Sequence, residues 1–140
     1  MVQDLPGIDR SAHRPRKVFI ALAFATIGIG LCVHLFGSVL DPAARDVAGD
    51  ALWAMMIYWL IGAIAPRMSL IARSAVSYAI CVTVELSQLY HTPSLDALRA
   101  TAPGHLVLGN GFDARDLIAY AAGVAIACLA EAVAASRSRA

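Results

Sequence analysis

Apolar residues along this chain gather into four long runs separated by short polar breaks. The first, Val18 to Leu40, carries no formal charge over 23 residues. At about 1.5 Å per residue, a helix of that length crosses a hydrocarbon core about 30 Å thick. The second run centres on Leu52 to Ala65 and reaches spanning length if its helix begins near Val47, with Asp50 in the outermost turn. The third extends from about Leu70 to Tyr90, with Arg73 close enough to one end to snorkel and Glu85 toward the other. The fourth covers residues 116–135, with Glu131 near its end.

This pattern predicts an all-α fold, a polytopic membrane four-helix bundle with spans over 18–40, 47–66, 70–90 and 116–135. The spans form one transmembrane domain, 18–135, between a flexible cytoplasmic tail over 1–17 and a short cytoplasmic tail over 136–140. Composition agrees: 59% of the 140 residues are hydrophobic and 15% charged, against roughly 45–50% apolar in soluble domains. Eight of the 11 basic residues fall before the first span, between the second and third, or after the fourth. The other side carries only Arg45, Arg99 and Arg115, so the positive-inside rule makes both termini cytoplasmic. No basic footprint for nucleic acid is present.

Between the third and fourth spans lies a long outer segment, His91 to Phe112. Ser94 is placed to cap a short helix, SLDALRA, which Pro103 and Gly104 then break. The following LVLG, closed by Asn110 and Gly111, can dip toward the bundle mouth and serve as a lid, since irregular backbone at membrane depth must be covered by protein or line a cavity.

Polar residues inside the spans carry the candidate chemistry. Ser74, Tyr78, Cys81, Glu85 and Gln88 follow one another at steps of four and three, which places them on one helical face. In the fourth span Asp113, Asp116, Tyr120, Gly123 and Ala127 form a second face. Asp113 suits an N-cap there, and Ala119, Gly123 and Ala127 permit close helix approach. Asp50 and His34 lie at about the same depth, His34 as a hydrogen-bonded core histidine. Trp53, Tyr58 and Trp59 fit packing or interfacial anchoring. Cys32, Cys81 and Cys128 occupy three different spans with no paired spacing; they read as apolar filler at helix contacts, without disulfides. No metal site and no cofactor is expected.

The strings GDALWAMMIYW, VELSQLY, LDALRATAPGHLVLGNGF and DLIAYAAG resemble a family of small, uncharacterised bacterial four-helix integral membrane proteins, a domain of unknown function. More distantly, an acid opening span two, E-x-x-Q closing span three and D-x-x-A-x-x-x-G in span four are similar to the VanZ-like proteins, linked to glycopeptide resistance and the cell envelope. Where those usually place Asn, this chain has Tyr120. The resemblance implies a bacterial inner membrane protein and supplies no established catalytic residue.

An ionisable residue within a span normally faces a bundle interior or a polar cavity with a partner. Glu85 is therefore the centre of the expected outward-facing site, with Asp50, Gln88, Arg99, Asp116 and Tyr120 as its ligand-binding residues. The expected ligand is a lipid-linked cell-envelope intermediate, Arg99 contacting phosphate; if the site processes it, Glu85 is the general acid or base. The alternative is an accessory or structural subunit packed against a larger membrane protein complex, its polar stripe serving as internal glue. Membrane lipids are partners under either reading.

Overall fold

The computed structural model describes residues 15–109 and 111–138. Six α-helices make up the described chain: α1 Arg16–Phe36, α2 Pro42–Ile64, α3 Leu70–Ser87, α4 Pro93–Arg99, α5 Ala102–Leu108 and α6 Ala114–Arg137. α1, α2, α3 and α6 are long and apolar enough to cross a membrane, with mean hydropathies of 2.3, 1.6, 1.4 and 2.0. Most of the expected tail, residues 1–14, lies outside the described residues, as do Asn110 and Arg139, whereas Arg16 and Lys17 form the first turn of α1.

Caps set the helix boundaries. Asp41 accepts from the Ala43 N–H at 3.1 Å and Pro42 occupies the first turn, so α2 starts five residues before Val47. That signal is polar and escapes a hydropathy pattern, yet it satisfies free N–H groups that every helix start exposes. As a result Asp50 lies about two turns inside α2, not in its outermost turn. Pro66 lies just past the end of α2, and Ser69 caps α3. In the long connection Thr92, not Ser94, caps α4, and Thr101 caps α5 with Pro103 in its first turn. Pro103 therefore starts a helix here, because a first-turn proline loses no hydrogen bond.

α2 is the hub of the bundle, packing against α1, α3 and α6, while α3 and α6 pack on each other. Phe19, Ala23, Ala54, Tyr58, Trp59, Cys81, Tyr120, Val124 and Ala127 form the core. Close approach comes from glycine: a Cβ on Gly123 would collide with the Ala51 carbonyl, and one on Gly62 would sit 2.5 Å from the Phe19 ring. Phe24, Leu35, Ile71, Ile118 and Leu129 point outward, forming an apolar exterior suited to lipid. His34 is also exposed, so it is not a core histidine. Cys32, Cys81 and Cys128 are free; Cys81 is buried, Cys128 half-buried and Cys32 exposed on α1.

Candidate functional site

Two polar clusters occupy opposite ends of the bundle, one beside α4 and α5 (the loop end) and one beside the α2–α3 turn (the turn end). α3 links them. Its buried face is Arg73, Ser77, Cys81, Glu85 and then Gln88, at steps of four, four, four and three. Ser74 and Tyr78 lie beside this face, on an open groove between α3 and α6 with Val124, Cys128 and Leu129. The expected stripe is therefore correct in its loop-end half, and its turn-end half is rotated by one residue.

At the loop end Glu85 is 0% exposed. Its carboxylate accepts from the Asp113 backbone N–H at 2.8 Å, the Tyr120 hydroxyl at 3.0 Å and Gln88 Nε2 at 3.2 Å. Three donors replace the water that a buried carboxylate would lose, and hydrogen bonds to a charged acceptor are stronger than neutral ones. The local structure explains how they converge. Glu85 and Gln88 are one turn apart at the end of α3, and Tyr120 lies two turns into α6. Asp113, the cap of α6, accepts from the Arg115 N–H at 2.9 Å with its side chain and turns its own N–H toward Glu85.

Asp50 on α2 and Asp116 on α6 lie at the same end of the bundle as Glu85, near enough for the three charges to influence one another. Both aspartates are half-buried, so they form the open side of the cluster. Gln88 Oε1 has no partner, although the residue is only 6% exposed. Gly109 ends α5 at φ +65, where glycine is favoured, and the Gln88 carboxamide fills the space a side chain would need, 2.5 Å from an ideal Cβ. The end of α5 thus lies over Gln88.

Arg99 joins this region differently from the expectation. It is 4% exposed and donates to the Tyr90 carbonyl at 2.9 Å, the Ser87 carbonyl at 2.6 Å and Asp96 at 3.3 Å. It satisfies carbonyls left open at the end of α3 and fastens α4 to it. Of the six expected site residues, Asp50, Glu85, Gln88, Asp116 and Tyr120 come together, and Arg99 braces the helix end that carries two of them. His91 pairs with Asp96 at the surface at 3.1 Å, away from Glu85. Among the described residues, no three His, Cys, Asp or Glu side chains are grouped so as to hold a metal ion.

The turn-end cluster has no counterpart in the sequence reading. Arg73, 1% exposed, pairs with Glu131 through Nη1 at 2.5 Å and donates to the Met68 carbonyl at 3.0 Å. Tyr58 donates to Glu131 at 2.8 Å, and the guanidinium lies 4.6 Å from the Phe19 ring centroid. Arg73 does not snorkel; it is an internal ion pair joining α2, α3 and α6, with α1 stacked on it. A signal existed: Glu85 to Arg73 is twelve residues on α3 and Tyr120 to Glu131 is eleven on α6. In antiparallel neighbours, one contact implies the other.

The arrangement can hold a ligand that donates hydrogen bonds at the loop end, whereas at the turn end Arg73 and Glu131 pair with each other and, of the pair's atoms, only the Arg73 Nε is left without a partner. The family model described as a protein of unknown function (DUF2809) matches residues 39–124, more than half of the chain. The matched segment contains every residue of the loop-end cluster and stops before Glu131. No solved structure matches the chain.

Proposed function

The chain belongs to the DUF2809 family, and we propose that it is a bacterial inner-membrane protein whose Glu85 site faces outward and binds the head group of a lipid-linked cell-envelope intermediate. The observation that carries this reading is the fully buried Glu85 carboxylate, held by Asp113, Tyr120 and Gln88 with Asp50 and Asp116 open beside it. A cluster kept only for packing has no need of three acids at one level. Glu85 lies two residues before the last residue of α3, the depth at which lipid head groups meet a span.

Charge supports the orientation. Arg16, Lys17, Arg67, Arg73 and Arg137 lie at the turn end, and Arg45, Arg99 and Arg115 toward the loop end, a distribution that supports a cytoplasmic turn end. The similarity to VanZ-like proteins supports an envelope role. Binding is favoured over processing, because every donor on Glu85 belongs to the protein and holds it in place. Were the ligand processed, Glu85 would be the acid or base.

The test is native mass spectrometry of the protein released from nanodiscs, comparing wild type with Glu85→Ala. A discrete lipid adduct lost only in the variant is the expected result. If neither protein retains a lipid while both fold alike, the reading fails and the accessory-subunit reading replaces it. What that second reading would use is α1, which packs chiefly on α2 and turns Phe24, Ile29, Leu35 and Phe36 outward, a face that lipid or a larger membrane complex can cover.

A further inference from the structure

We infer that the hairpin of α4 and α5 is a hinged lid over Gln88 and Glu85, and that Arg99 is the latch that holds it shut. This goes beyond the binding reading and does not depend on it, because it concerns how a fully buried carboxylate is reached, whatever reaches it. Burial carries the inference. Among the described residues from His91 to Gly109, only Arg99 and Gly104 are buried. Gly104 is buried inside the hairpin itself, since a Cβ there would strike the Leu98 carbonyl. Arg99 is thus the one buried attachment of this segment to the bundle among the described residues. Leu98 and Val107 are 52% and 45% exposed, and a segment with so little buried apolar surface belongs to the part of a structure that opens locally.

The segment is built as a unit between two joints. α4 and α5 pack on each other, and of the long helices they lean chiefly on α3. The approach of Gly104 to Leu98 closes the corner between them, while Thr92 and Thr101 cap the two helices from within the segment. Its entry joint is His91, between the last turn of α3, where the Tyr90 N–H donates to the Ser87 carbonyl at 3.0 Å, and the Thr92 cap. At the exit Gly109 has φ +65 and Gly111 has open space around it, whereas Asp113 is held at Glu85 by its own N–H.

The latch is polar, so it can be exchanged for water. Arg99 grips the Tyr90 and Ser87 carbonyls at 2.9 and 2.6 Å, and Asp96 steadies the guanidinium from within α4 at 3.3 Å. Letting go costs charge-assisted hydrogen bonds but no core packing. The shut lid also leaves Arg99 Nε and Gln88 Oε1 buried without partners, and water admitted on opening would satisfy both. Gly109 backs onto the Gln88 carboxamide, 2.5 Å from an ideal Cβ, and Gln88 Nε2 donates to Glu85 at 3.2 Å. Lifting the end of α5 therefore uncovers Gln88 and, behind it, Glu85.

The test uses the full chain in phosphatidylcholine nanodiscs, with Cys32, Cys81 and Cys128 replaced by Ala. Gln88→Cys should react slowly with a maleimide, and adding Arg99→Ala should speed the reaction at least about tenfold, the effect of about one hydrogen bond to a charged group. Arg99→Lys keeps the charge without the two-pronged grip and should fall between. Electron–electron double resonance between nitroxides on Ala97→Cys and Arg67→Cys should show a second distance once Arg99→Ala is added. A Val39→Cys and Arg67→Cys pair, which spans the bundle without the hairpin, should keep its single distance. Fast labelling with Arg99 in place overturns the lid, and labelling and distances that ignore Arg99→Ala overturn the latch. Broadening of both distance pairs overturns both, because Arg99 would then hold the bundle itself together. None of these readouts involves a bound lipid, so their failure leaves the lipid-binding test untouched.

Discussion

The Tyr120 hydroxyl donates to Glu85 at 3.0 Å, and this bond ties the loop-end half of α6 to that of α3. Both residues are almost completely buried, so neither can exchange its partner for bulk water. Tyr120→Phe keeps the ring and removes the donor, leaving Glu85 with two of its three bonds. We expect a loss of about 1.5–3 kcal/mol, the range for a hydrogen bond to a charged group. Equilibrium unfolding in detergent measures it; a variant as stable as wild type would show that the bond contributes nothing to the bundle.

The pair formed by Arg73 and Glu131 predicts strong non-additivity. Glu131→Gln leaves a guanidinium that is 1% exposed without its counter-charge, and breaking a buried pair from one side costs about 3–5 kcal/mol. Arg73→Met strands Glu131 in the same way. The double variant Arg73→Met/Glu131→Gln removes both charges and should lose far less than the sum of the two single losses. A double-mutant cycle measures the coupling. Were Arg73 free to snorkel to the interface, Glu131→Gln would cost little and the cycle would be additive.

Length and apolarity make the four long helices legible in the sequence, because few other solutions exist for runs of about 20 apolar residues. Capping chemistry and small-residue spacing likewise reveal Asp113 as the start of α6 and Gly123 as a point of close approach. The gathering of Glu85, Gln88 and Tyr120 follows from steps of three and four on two antiparallel helices. The absolute rotation of α3 does not follow. Ser74–Tyr78 and Arg73–Ser77 are both spaced by four, and only the Arg73–Glu131 contact selects between faces about 100° apart. Arg99 is opaque for a similar reason: a helix end leaves several carbonyls open, and nothing in the chain says which cation will return from a loop to take them.

Gly123 and Gly28 make a matched comparison. A Cβ at Gly123 would strike the Ala51 carbonyl, which belongs to a helix backbone and cannot rotate away, whereas nothing lies within 4 Å of one at Gly28. Gly123→Ala should therefore push α6 off α2 and destabilise by about 1–3 kcal/mol, as overpacking does. Gly28→Ala should change stability by less than about 1 kcal/mol, with helix propensity acting in its favour. Because Gly123 sits one turn beyond Tyr120, Gly123→Ala should also weaken any lipid adduct that Glu85 supports. Equal stability of the two variants would mean that the α2–α6 approach is looser than the packing implies.

Orientation decides whether the acid cluster can meet envelope intermediates at all. Gly111 is exposed at the loop end, with open space around it, and Arg67 is exposed in the α2–α3 turn. With Cys32, Cys81 and Cys128 replaced by Ala, Gly111→Cys should react with a membrane-impermeant maleimide in intact cells. Arg67→Cys should react only after permeabilisation. The distribution of Lys and Arg favours this pattern, since translocating the basic turn against the membrane potential is the less favourable course. The opposite labelling would turn Asp50, Glu85 and Asp116 toward the cytoplasm. The same acceptor chemistry would then meet only ligands of the inner leaflet, and an outward-facing envelope role would have to be abandoned.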